Sequence, residues 1–172
     1  MPRNEATIQV MPPEGWRHWS LAQRTRRVDP YKHPGKLLTP TVCPQCHAIY
    51  YAGRWRWGPR PNTTHEVVCQ ACHRSNDNFP AGVVTLHGTF VRPNRAVLVS
   101  AARQQAESEQ RERPLNRIIN IEQGGDRIVV NTTDIQLPVR IGEAIRRTFQ
   151  GTLDRHFDYD GYLVRVNWHR DA

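Results

Sequence analysis

The sequence predicts an α+β protein: a four-cysteine zinc ribbon followed by a small α+β domain, with an extended basic N-terminal arm. Three observations predict it. Two Cys-x-x-Cys pairs, Cys43/Cys46 and Cys69/Cys72, stand 22 residues apart. From residue 80 onward, strand-like runs alternate with runs of helical apolar spacing. The first 41 residues carry six prolines and little periodicity, the mark of a segment without regular packing of its own. At 172 residues the chain has room for one small domain plus a module and a tail. The expected boundaries are 1–41 for the arm, 42–79 for the ribbon and 80–172 for the α+β domain.

In the arm, Trp16-Arg17-His18-Trp19 followed by Leu21 suits a short helical turn, and aromatic residues mixed with arginine suit a segment that orders on a partner. The ribbon follows. Val83 to Phe90 reads as a strand. Asn94 is placed to cap a helix over about 95–112, with Ala96, Val97, Val99, Ala101, Ala102 and Ala106 at its apolar positions, and Pro114 ends it. Asn116–Ile121 and Arg127–Asn131 flank Gly124-Gly125-Asp126 and read as a β-hairpin. Thr133 or Asp134 caps a second helix with Ile141, Ala144, Ile145 and Phe149 on its apolar stripe; Pro138 suits a first turn and Gly151 a stop. Leu153–Phe157, a turn at Asp158-Tyr159-Asp160-Gly161 and Tyr162–Trp168 form a last hairpin. The order β-α-β-β-α-β-β predicts an antiparallel sheet with two helices on one face, close to the split βαβ pattern.

The chemistry sits in the cysteines. A two-residue gap turns both thiolates of a pair toward one small cation, and the intervening length suits a hairpin that returns the second pair. Four thiolates at about 2.3 Å in a tetrahedron favour one structural Zn²⁺, a closed site with no open position for catalysis. Cys43, Cys46, Cys69 and Cys72 are the expected ligands. His47 and His73 follow the pairs where knuckles often carry glycine, because that position favours left-handed backbone; they are expected beside the metal rather than on it.

The second signal is charge. Net charge is +8, and it is uneven: residues 1–60 hold ten basic side chains against three acidic ones, residues 61–172 fourteen against thirteen. A one-sided field suggests a polyanionic partner. Twenty-two of the 24 basic residues are arginine, the better fork for phosphate and the better stacker on bases, although a GC-rich genome would produce the same bias. Within the ribbon, Tyr50-Tyr51-Ala52-Gly53-Arg54-Trp55-Arg56-Trp57 as a strand puts Arg54 and Arg56 on one face, near Arg60, and Trp55 and Trp57 on the other. The tryptophans are either core or a base-stacking platform. The expected nucleic-acid contacts are Arg54, Arg56, Arg60, Trp55 and Trp57, with Arg17, Arg24, Arg26, Arg27, Lys32 and Lys36 from the arm.

No nucleotide-binding glycine loop, no Gly-x-Ser-x-Gly elbow and no His-Glu-x-x-His motif is present. Asp154, Asp158 and Asp160 do not have the spacing of a calcium loop. No catalytic residue and no small-molecule substrate are expected. No run of 18 uncharged apolar residues occurs, and Met1-Pro2-Arg3-Asn4-Glu5 has no apolar run behind it, so the expected address is cytoplasmic. The function this predicts is a non-enzymatic, zinc-stabilised RNA-binding protein, with the ribosome and its RNA as the expected partner, protecting or inhibiting idle ribosomes or assisting assembly. The alternative is a protein–protein adaptor or transcriptional regulator that docks through the ribbon.

A resemblance points the same way. Cys43-Pro-x-Cys46 with Ala48-x-Tyr50, Gly53-Arg54-Trp55-x-Trp57 and Cys69-x-x-Cys72 form a first block. Pro80-x-Gly82, Leu86-x-Gly88-x-Phe90, Asn131-Thr132-Thr133-Asp134-Ile135, Ile141-Gly142-Glu143-Ala144 and Leu163-Val-Arg165-Val-x-Trp168 form the rest. Together, over roughly residues 42–168, they resemble a family of small, uncharacterised bacterial zinc-ribbon proteins. The layout is also distantly similar to the zinc-ribbon region of the large-ribosomal-subunit export adaptor family, which implies attachment to ribosomal subunits. The chain departs from the bacterial pattern at His47, where Gly is expected, and at Pro138, where a small residue is expected.

Overall fold

A computed structural model describes residues 29–62, 65–158 and 162–172. Two sheets and three helices make up these residues. The first sheet surrounds the cysteines. Strands β1 (Thr41–Val42), β2 (Ile49–Tyr51), β3 (Arg54–Arg56) and β4 (His65–Glu66) lie in the order β3-β2-β1-β4. β2 and β3 form a two-residue hairpin: Tyr51 pairs with Arg54, and Ala52 and Gly53 between them both have positive φ, 49° and 82°. That is the turn whose twist matches flanking strands, and it uses the Gly where a side chain is strained. β4 runs parallel to β1. The sequence predicts a hairpin that returns the second cysteine pair, and this expectation is corrected. Helix α1 (Gln70–Asp77) returns it instead, opening directly at that pair. The helix wins because the Cys69 Sγ accepts from the Cys72 amide, 3.4 Å away, and so serves as the N-cap acceptor. Asn78 closes it in left-handed conformation.

The second sheet has five strands: β5 (Gly82–His87), β6 (Ile118–Gly124), β7 (Arg127–Thr132), β8 (Thr152–Asp158) and β9 (Leu163–His169), in the order β6-β7-β5-β9-β8. Helices α2 (Arg95–Glu112) and α3 (Leu137–Phe149) pack on it and on each other. The sheet is mixed rather than antiparallel, because β9 lies parallel to β5 from Gly82↔Val164 to His87↔His169. This corrects the expected antiparallel sheet. The last hairpin adds to the β5 edge through its second strand, so β9 is interior and β8 forms the edge.

The core follows from spacing. Leu98, Ala102 and Ala106 of α2, and Leu137, Ile141 and Ile145 of α3, recur every four residues and are buried, giving each helix one apolar stripe. Opposite them, Val84, Leu86, Ile128, Val130, Val164, Val166 and Trp168 come from the same face of the sheet. The Trp168 indole N–H, buried with its ring, donates to the Gln150 carbonyl at 2.6 Å. Gly142 lets α3 approach the sheet closely. A Cβ there would stand 2.6 Å from the Val166 side chain. α3 is capped by Asp134, whose Oδ2 accepts from the Gln136 and Leu137 amides, and Pro138 lies in its first turn.

Two residues at the end of the expected arm are anchored: Tyr31 is 2% exposed, and Asp29 is buried against Arg74, whose own side chain is fully buried, while residues 32–36 stay exposed. The Arg74 guanidinium donates to Asp29 Oδ1 at 2.6 Å and to the Phe79 carbonyl at 3.0 Å, and it lies 4.4 Å from the Tyr31 ring centroid. The Tyr31 hydroxyl donates to Asp77 at 3.0 Å. A paired buried charge needs such a set of partners, and here it ties the end of the arm to α1. Residues 1–28 lie outside the described residues. Among the described residues no helix is long and apolar enough to cross a membrane.

Candidate metal centre and nucleic-acid interface

The four cysteine sulfurs lie within 4.8 Å of one another. Cys43 follows β1, and the chain reverses through a tight loop in which the His47 amide donates to the Cys43 carbonyl and the Cys43 amide to the Ala48 carbonyl, both at 2.9 Å. His47 has φ 65°, the left-handed backbone that glycine serves best. Cys69 and Cys72 come from the first turn of α1. The Cys43–Cys72 and Cys46–Cys69 sulfur separations are both 3.8 Å. A disulfide needs about 2.05 Å. A tetrahedron with metal–sulfur bonds of about 2.3 Å has edges of about 3.8 Å. These four side chains therefore fit one small cation, and the all-thiolate donor set is the kind that holds zinc in a closed site.

The thiol electrostatics agree. Four sulfurs this close cannot all ionise alone. The hydrogen bond with Cys69 holds the Cys46 thiol down to about 4, while that same bond and burial push Cys69 up. Burial also raises Cys72. A dication at the centre removes the conflict.

Arg117, from the loop before β6, meets the cluster from the α+β side. Its Nη2 donates to the Cys72 sulfur at 3.3 Å and to the Cys69 sulfur at 3.6 Å. Leu115 packs on the same cluster. Four thiolates and a dication carry two net negative charges, and the guanidinium offsets one of them. The site is thus shared: the ribbon supplies the sulfurs and the α+β domain supplies the counter-charge. Nothing local in the sequence marks Arg117, which is 45 residues from Cys72. Neither His47 nor His73 is among the cysteine cluster's candidate ligands.

The expected nucleic-acid residues divide. Arg54 and Arg56 are both exposed on β3, and neither has an acidic partner among the described residues. Arg56 stacks on the exposed Tyr51 ring, 4.4 Å from its centroid. Lys32 and Lys36 are exposed. Arg60 differs: it is engaged by Glu66 at 2.6 Å, which neutralises it. Trp55 is half-buried on the cysteine cluster and edge-on to Tyr50, 5.5 Å between centroids, so it is not an open platform. Trp57 stays 39% exposed but donates its indole N–H to the Gln110 carbonyl of α2 at 2.7 Å, pinning the ribbon to the α+β domain. Arg17, Arg24, Arg26 and Arg27 lie outside the described residues. Compared with family models, with curated proteins and with solved structures, the chain matches none.

Proposed function

We propose that the protein is a non-enzymatic RNA-binding factor stabilised by one structural zinc, with the ribosome as its favoured target. One observation carries the reading: the ribbon presents Arg54 and Arg56 side by side, unneutralised by carboxylates and next to an exposed tyrosine. The sequence places them in the third of the chain that holds nearly all the excess charge. Arginine beside an aromatic ring binds phosphate and base stack together. A metal site walled by four thiolates has no open position for a substrate. The resemblance to zinc-ribbon proteins, and distantly to a ribosome-binding adaptor family, points in the same direction. Sucrose-gradient fractionation of tagged protein from growing and starved cells tests it. Cosedimentation with subunits or whole ribosomes, lost after nuclease treatment, is the expected result. Recovery only in the light fractions under both conditions would refute it.

A second reading has its own observation. Pro40, Ile49, Tyr51, Trp57, Pro59 and Pro61 line a shallow apolar groove on the ribbon, which favours a protein-docking adaptor. Partners that survive nuclease in a pull-down would support this reading over the first.

A further inference from the structure

One cavity of the described residues lies outside the α+β core, where the arm end, the ribbon and Tyr162, just before β9, converge. Its volume is about 420 Å³, within the range of small-ligand pockets. Tyr50 and Trp55, register partners across β2 and β3, form one aromatic wall, and Tyr162 contributes a third ring. Burial pushes the Tyr162 hydroxyl up to about 12, so it stays a protonated donor at neutral pH. Gln70 lines the same space. Its amide makes only a long, 3.5 Å contact to Asp29, leaving its carbonyl and second N–H able to turn inward. Lys32 and His33 also line it, and both are exposed.

We propose that this cavity takes a single unstacked RNA nucleotide, its base against the aromatic walls and its phosphate at Lys32; the proposal rests on the RNA-binding reading and locates the base-binding site within it. The chemistry is specific. Aromatic rings bind the flat face of any base. A glutamine amide offers one donor and one acceptor, the pair that matches the N6 and N7 edge of adenine. An ammonium at the mouth suits the phosphate. The half-burial of Trp55 then has a second use: the same ring that packs on the cysteines walls the cavity, so base binding and metal loading share a side chain. Sequence alternation leaves Trp55 as either core or stacking surface; in this geometry it serves as both.

The experiment uses the zinc-loaded full chain and a single-stranded oligouridine carrying one 8-vinyladenosine, a fluorescent adenosine that keeps the N6 amine and N7. Binding is followed by anisotropy of an end label, and base stacking by quenching of the 8-vinyladenosine emission. The expected result is binding with strong quenching. Gln70→Ala and Tyr162→Ala should each weaken binding about tenfold, with zinc content and circular dichroism unchanged. Gln70→Ala, at a solvent-reachable helix position, keeps the test valid should the tyrosine variant fold poorly. Lys32→Ala should weaken binding less and flatten the salt dependence. Binding by anisotropy without quenching, and indifferent to Gln70→Ala, would overturn the pocket and leave RNA binding intact. Absence of oligonucleotide binding at low salt would overturn both.

Discussion

Arg117 gives the sharpest test of how the metal centre is built. Replacing it by methionine keeps the unbranched apolar stem and removes the guanidinium. Two N–H···S contacts disappear, at 3.3 and 3.6 Å. A hydrogen bond to a charged group contributes about 1.5–3 kcal/mol when well formed. Sulfur is a weak acceptor and one contact is long, so about 1 kcal/mol each is a fair figure. The sum of about 2 kcal/mol is roughly thirtyfold in affinity, inside the roughly 10–100-fold loss typical when a residue supporting metal ligands is removed. Competition with a chromophoric chelator of known affinity reads this directly. Arg117→Lys, which keeps the charge without the fork, should fall between. Thiol alkylation in the loaded protein should quicken in the same order, because an uncompensated tetrathiolate is more nucleophilic. Zinc affinity within threefold of wild type for Arg117→Met would show that the guanidinium only fills space beside the cysteines.

Metal analysis should return one zinc per chain, and chelation should change Trp55 emission and expose the ribbon amides to exchange while β5 and β9 stay protected. Arg74→Met should destabilise by about 3–5 kcal/mol in denaturant unfolding, because Asp29 is left buried and unpaired, and Asp29→Asn in the same chain should recover much of it. Burial raises the Asp134 carboxyl to about 6 against the capping bonds that lower it. The folded state thus holds this proton more tightly than the unfolded chain, and stability from this group is lost as pH rises from about 4 through 6. The melting-temperature difference between wild type and Asp134→Asn should move in favour of the variant across that window; a constant difference would contradict the burial argument. Arg54→Ala with Arg56→Ala should flatten the log–log salt dependence of RNA binding by about two units without zinc loss, whereas an unchanged slope would place the contacts elsewhere.

The four-cysteine cluster is legible because a metal demands short, fixed spacings, and those survive in sequence as Cys-x-x-Cys. The mixed helix and strand content is legible for a related reason: Ala102 and Ala106 repeat at helical spacing, although the buried anchor of that stripe is Leu98, which the apolar run does not single out, and Val97 is exposed. Pairing between distant strands leaves no such trace. Nothing within Leu163–His169 says that it lies parallel to β5. The helix at the second cysteine pair is hidden because Gln70–Asp77 is polar, with no stripe to read; its N-cap is a cysteine, outside the usual set. The packed end of the arm hides in the same way. Tyr31 is one aromatic residue among prolines, and its anchor, Arg74, lies more than forty residues on. Alternation correctly puts Trp55 opposite Arg54 and Arg56, but it does not say that the cysteines cover that ring. Arg60 reads as part of a basic row until Glu66 is brought beside it.

The placement of β9 has a consequence for the order in which the molecule forms. β5 is the middle strand of its sheet, yet one of its two neighbours comes 82 positions later, at Gly82↔Val164. At synthesis rates of about 5–20 residues per second, β5 spends roughly 4–16 s with that edge open and Val84 and Leu86 unprotected. The ribbon has all its cysteines by residue 72 and is free to take up metal in that interval. The expected order is metal capture first and sheet closure second, with Arg117 docking onto a centre already assembled; pulse-labelling hydrogen exchange during refolding with metal present, showing β5 and β9 protected before the ribbon, would refute it. Because loop closure over so long a separation is slow, refolding of the α+β domain should be limited by the arrival of β9 beside the central strand rather than by the metal.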